Sequence, residues 1–194
     1  DYTVAGLRQV ALLGRGFTPD QSTQAWIDMC PEWLGRFPVC DRYRIGLRAP
    51  ATATFLNVKR EWIAAQIRAD YFGYVCPGDP GQAARMAWAE AAKDHTRNGI
   101  YGAMWVAACV AAAFAERDPQ RILERGLQQI PVKSRLTKHI TRTIEAAVRN
   151  GEDYEATFDD IAQRLGTYHP IHAVNNACIV AAALIHGKSD YTAT

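Results

Sequence analysis

One helix-starting signal recurs along the chain. "TPDQ" (18–21), "DPGQ" (79–82) and "DPQR" (118–121) each place a side-chain oxygen directly before a proline. A Thr or Asp oxygen can accept from the backbone N–H groups left unpaired at a helix start. A proline at the first helical position has no N–H to leave unpaired. In the first two segments Gln21 and Gln82 stand at the third helical position, and with Thr18 this makes a capping box. Further starts and stops predict helices over 3–14 (closed by Gly14 and Gly16), 19–30, 59–72, 79–95, 99–116 and 135–149, with another beginning at Asp118-Pro119. Two more follow, at 154–165, closed by Gly166, and across "HAVNNACIVAAALIHG", closed by Gly187. Residues 31–58, rich in Pro, Arg and Gly, read as one long irregular segment. No stretch alternates as a strand does. The expectation is an all-α fold: residues 1–194 as a single orthogonal multi-helix domain of about eight helices, packed around the two most apolar ones.

The charge balance narrows the function classes. Lys and Arg number 22 against 20 Asp and Glu, and the basic residues are scattered, so no nucleic-acid groove is indicated. The longest uncharged run, 100–115, is shorter than the roughly 20 residues a bilayer span needs and reads as a buried helix. With no basic-then-apolar leader in view, the expectation is a cytoplasmic chain without a membrane partner. The five cysteines show no CxxC spacing. They read as reduced thiols, Cys109 and Cys178 lying inside alanine-rich helices, with a Cys30–Cys40 bridge left open.

Several residues could carry chemistry. His169 and His172 have a spacing that could bind zinc, but Pro170 breaks the helix between them and no third ligand lies at ligand spacing. Asp159 and Asp160 point about 100° apart on a helix and read as a solvated face. Arg68, after the apolar "WIAAQI", could hold a phosphate or carboxylate, or bridge helices through Asp70 or another acid. Asn175 and Asn176 stand inside an apolar helix. A buried amide without partners costs about 1–3 kcal/mol, so loop backbone, a ligand or water must satisfy them. The richest segment is "KDHTRNGIYGAM" (93–104). Gly99 and Gly102 allow close approach of a second body, and Tyr101 offers a ring and a hydroxyl. The N–H groups of the helix start suit phosphate or ribose oxygens. The competing reading makes Gly99 a helix stop and Gly102 a packing position.

Taken in order, "DYTVAGL", "FTPDQSTQAWI", "REWIAAQIRADYFGYVCPGDPGQAARMAWAEAAKDHTRNGIYGAMWVAACVAAAF", "IPVKSRL" and "HAVNNACIVAAALIHGKSDY" resemble the ADP-ribosylglycohydrolase family, in particular its dinitrogenase reductase-activating glycohydrolase-like members. The resemblance spans essentially the whole chain, and the long central block is its most specific part. It implies an all-α body around two magnesium ions. It also implies hydrolysis of a glycosidic bond between ADP-ribose and an acceptor, on a protein or a small molecule. By the same resemblance His95 lies near a ribose, with Gly99, Tyr101 and Gly102 lining the adenosine or distal ribose. Asn175 and Asn176 would face the pocket from the last helix, with His172 as a further candidate. Family members hold the metals with a Ser/Thr-Asp-Asp cluster and an Asp-x-Asp cluster. "DYT" resembles the segment just after the first and "GKSDYTAT" the segment just before the second. The expectation is therefore the central portion of a longer parent enzyme, inactive by itself, with Asp1 at most an edge of the first cluster. Ala64 stands where close relatives carry Gly. The alternative expectation is a non-catalytic ADP-ribose- or nucleotide-binding domain, or a crystallin-like structural one.

Overall fold

A computed structural model describes residues 2–29, 31 and 37–188. Eleven α-helices and a 3-10 helix are seen among the described residues, more than the eight expected. They are α1 (Tyr2–Leu13), α2 (Pro19–Met29), α3 (Pro38–Arg44), α4 (Ala51–Thr54), the 3-10 helix (Ile63–Arg68), α5 (Asp70–Tyr74), α6 (Pro80–Ala91), α7 (Asn98–Ala113), α8 (Pro119–Leu127), α9 (Arg135–Asn150), α10 (Tyr154–Leu165) and α11 (Ala173–Gly187). Among the described residues there is no strand, only an isolated bridge between Trp62 and His172.

The caps form as the sequence dictates. Thr18 Oγ1 accepts from the Gln21 N–H at 3.2 Å while Gln21 Oε1 accepts from the Thr18 N–H at 2.8 Å, a reciprocal capping box. Asp79, Asp118, Ser134 and Asp153 cap α6, α8, α9 and α10 with their side-chain oxygens. Two expectations need correction. The segment 31–58 contains α3 and α4, seven and four residues long, too short for a hydrophobic period to show in sequence. Residues 59–72 are not one helix, because long-range partners take the backbone groups that helical bonding would use. Arg60 O accepts from the Thr96 N–H, Glu61 O accepts from the Ala173 N–H, and the Ile63 N–H donates to Ile171 O. Trp62 is consequently extended (φ −79°, ψ 170°), and the tight 3-10 turn from Ile63 to Arg68 and the start of α5 follow.

α7 is apolar all round because it joins two cores. Ala103, Ala107 and Ala111 pack with Ala83, Ala87, Met86 and Phe72 of α5 and α6 in one core. Trp105 and Cys109 pack with Leu123, Leu136, Ile140, Ile144, Ile161 and Val174 in the other. Cys76, Cys109 and Cys178 are buried free thiols. Cys30, the suggested partner of Cys40, lies outside the described residues, as do Asp1 and the end of "GKSDYTAT". No helix among the described residues is long and apolar enough to cross a membrane.

Candidate functional site

The first core is crossed by a chain of buried charges. Arg68, 2% exposed at the end of the 3-10 helix, donates from Nε to both oxygens of Glu90 at 3.0 and 3.1 Å. Its Nη2 donates to both oxygens of Asp94 at 2.7 and 2.8 Å. Lys93 bonds Glu90, donates to Ser22 Oγ at 3.1 Å, and stands 3.7 Å over the Trp26 ring. Gln9 Oε1 closes the set, accepting from Trp26 Nε1 at 2.7 Å. Two cations face two carboxylates, so no buried charge is left without a partner. Burial alone would raise the Asp94 carboxyl, but Arg68 and then His95 outweigh it and hold the group well below the usual carboxylate range. Burial also opposes the charge on Arg68, and there Asp94 and Glu90 prevail, pushing its affinity for the proton up. At Lys93 burial wins over Glu90 and the ammonium is pulled below the ordinary lysine value.

This network ends at a cleft. Asp94 Oδ1 lies 2.6 Å from Nδ1 of His95, a residue only 4% exposed. His95, Asp94 and Arg68 line a cleft of about 150 Å³, together with Phe37, with Pro38, Val39 and Arg42 of α3, and with Asn57, Lys59, Trp62 and Ala64. Most of its polar groups are engaged. Arg42 donates to Thr52 O and Leu56 O, and Asn57 Nδ2 donates to Ala53 O and Asp94 O. His95 Nε2 has no hydrogen-bond partner among the described residues. At the rim the Lys59 ammonium sits 5.1 Å from the Trp62 ring centroid, and Trp62 stacks on His169 at 4.6 Å and 17°. A larger groove of about 470 Å³ lies between α8 and α9, lined by Leu127, Ile144, Val148 and surface polar groups. It lacks the buried polar chemistry of the His95 cleft.

Of the residues singled out in sequence, His95, Arg68 and Ala64 line this cleft, and the other pocket candidates do not. A Cβ on Gly99 would lie 2.6 Å from Arg60 O and 3.1 Å from Glu61 Cα, so what approaches it closely is the chain's own backbone. A Cβ on Gly102 would meet Gln66 Oε1 at 2.7 Å and Ala173 Cβ at 3.5 Å. Tyr101 packs against the second core. The start of α7 is covered in the same way: Asn98 Nδ2 donates to Glu61 Oε2 at 2.7 Å, and Asn98 Oδ1 accepts from the Leu136 N–H at 3.1 Å. Asn175 Nδ2 donates to His169 O and Pro170 O, and Asn176 Nδ2 to Pro170 O and His172 O, so both amides bind the loop before α11. His172 caps that helix, its Nδ1 accepting from the Val174 N–H at 3.1 Å. Burial lowers its imidazole from the ordinary value.

Three features escaped the sequence reading: Asp94 as the partner of His95, Glu90 and Asp94 as the partners of Arg68, and Trp62 with Lys59 at the rim. The legible trace was "EAAKDH" (90–95), where Glu90, Lys93 and Asp94 share one helix face in an otherwise alanine-rich helix. Asp70, the acid considered for Arg68, instead accepts from the Tyr71 N–H and the Tyr74 hydroxyl. Asp160 pairs with Arg164 at 2.7 Å. No group of three His, Cys, Asp or Glu that could hold a metal ion is found among the described residues. Asp94, the carboxylate that lines the cleft, and Glu90 in the same network are already engaged by Arg68 and Lys93. The described residues therefore do not fit a two-metal centre.

A family model described as ADP-ribosylglycohydrolase matches residues 4–194. No curated protein and no solved structure matches the chain.

Proposed function

The chain belongs to the ADP-ribosylglycohydrolase family, and from that premise we propose that it is the helical body of a hydrolase that cleaves the bond between ADP-ribose and an acceptor. His95 contacts the sugar. The observation that carries this reading is a nearly buried imidazole that lines a cleft and whose Nε2 has no hydrogen-bond partner among the described residues. A ring nitrogen placed there can bond a ribose hydroxyl, and the exposed Lys59 at the rim adds positive charge suited to phosphate. The cleft is of a size for part of ADP-ribose, so the rest of the ligand lies along the open rim. Gly99, Gly102, Asn175, Asn176 and His172 act here by holding the 60–66 segment and the α11 loop in place. In such hydrolases positive charge builds at the anomeric carbon as the bond breaks, and carboxylates manage the proton.

Two magnesium ions are expected for the family. Their ligands, in this reading, lie outside the described residues, and no step is derived through them. The engagement of Glu90 and Asp94 by Arg68 and Lys93 favours a second reading, a non-catalytic ADP-ribose-binding or structural domain. The buried free thiols support a reducing, cytoplasmic setting. Titration calorimetry with ADP-ribose tests the binding step. We expect heat with the parent chain and affinity at least about tenfold weaker in His95→Ala, roughly the loss of one well-placed hydrogen bond. Equal affinity would remove His95 from the site. No heat with either would remove the binding reading. Release of ADP-ribose from ADP-ribosylated arginine in magnesium is expected to stay at background. Robust turnover would overturn the expectation that this chain is inactive by itself.

A further inference from the structure

Asp94 does more than balance charge. Its carboxylate takes both Nη2 contacts from Arg68, at 2.7 and 2.8 Å, and this keeps it ionised. An ionised carboxylate only accepts hydrogen bonds. The hydrogen in the 2.6 Å contact between Asp94 Oδ1 and His95 Nδ1 therefore belongs to the imidazole. The backbone is held as firmly: Asn57 Nδ2 donates to Asp94 O at 2.7 Å, and the His95 N–H donates to Ala91 O at 2.8 Å.

We propose that Asp94 is a positioning residue that holds the His95 ring with its proton on Nδ1 and presents Nε2, as an acceptor, to a hydroxyl of the ligand in the cleft. This rests on the reading that the cleft receives ADP-ribose. Two other histidines are arranged in the opposite sense. His169 Nδ1 accepts from the Ile171 N–H at 3.3 Å, and His172 Nδ1 accepts from the Val174 N–H at 3.1 Å, so in each the ring proton of the neutral form lies on Nε2. The molecule thus contains its own controls.

Side-chain nitrogen NMR of the unliganded chain distinguishes these tautomers. The His95 ring is assigned by loss of its signals in His95→Gln. The expected result is a protonated Nδ1 at His95, against a protonated Nε2 at His169 and His172. A protonated Nε2 at His95 overturns the proposal, and because this needs only the parent chain, a poorly folding variant does not rescue it. In Asp94→Asn, Arg68 keeps the amide oxygen and the amide nitrogen donates to Nδ1, so the ring proton moves to Nε2. Calorimetry with ADP-ribose should then show about tenfold weaker binding. A switched tautomer with unchanged affinity overturns the ligand half of the proposal. Absence of ADP-ribose binding by the parent chain overturns that half together with the functional reading of the cleft. The spectrum separates this outcome from failure of Asp94 to hold the ring.

Discussion

The two cores on either side of α7 solve the same packing problem with different chemistry. Around α8 to α11 the interior is aliphatic: Leu123, Leu136, Ile140, Ile144, Ile161 and Leu165 fill it from amphipathic helices. Around α1, α2 and α6 the helices approach over alanines, and the space between them holds Arg68, Glu90, Lys93 and Asp94, with Trp26 beneath. An aliphatic interior tolerates approximate replacement, since volume and pattern largely suffice. A buried charge network does not, because each charge is tolerable only while its partner stays. The cleft opens beside the network, where side-chain geometry is most tightly specified.

The contrast is sharpest in stability. Glu90→Gln leaves Arg68 and Lys93 short of a counter-charge and should cost about 3–5 kcal/mol. Ile140→Val in the aliphatic core should cost about 0.5–1.5 kcal/mol. Urea denaturation of both variants checks this, and equal losses would erase the distinction between the cores.

A second test uses acid. The carboxyl of Asp94 titrates lower in the folded chain than in the unfolded one. Its contribution is therefore fully present above the unfolded value near pH 4 and is lost as pH falls below it. One such group adds a slope of at most about 1.4 kcal/mol per pH unit. Asp94→Asn should flatten the acid limb of the stability profile. Identical limbs in the two proteins would mean that Arg68 does not anchor Asp94.

The smallest effect belongs to the aliphatic side. Ser134 Oγ accepts from the Thr137 N–H at 3.0 Å at the start of α9, and Ser134→Ala should cost about 1 kcal/mol. A thermal melt shifted as far as that of Glu90→Gln would show a cap outweighing a buried charge, against the comparison drawn above.

Legibility in the sequence follows the same division. α10 was readable to the residue because its signals are local, Gly166 closing it. The extended backbone at Trp62 was not, since its causes sit at Thr96, Ile171 and Ala173. His95 was visible as an odd residue before an apolar helix. Asp94 beside it was not, because a carboxylate at a helix end ordinarily reads as solvated, and only the arrival of Arg68 from the 3-10 helix changes its meaning. Gly99 and Gly102 were visible as positions of close approach. Pattern alone could not say that Arg60, Glu61 and Gln66 are what approaches them.

The backbone bonds that hold residues 60–63 also set an order of events. The rim carrying Trp62 is fixed by Ile171 and Ala173, more than a hundred residues downstream. As the chain emerges from the ribosome, the charged core can close once Asp94 is out. The wall of the cleft cannot be finished until α11 begins to dock. The cleft is therefore completed late, and a chain interrupted before residue 171 would hold His95 beside an unfinished wall.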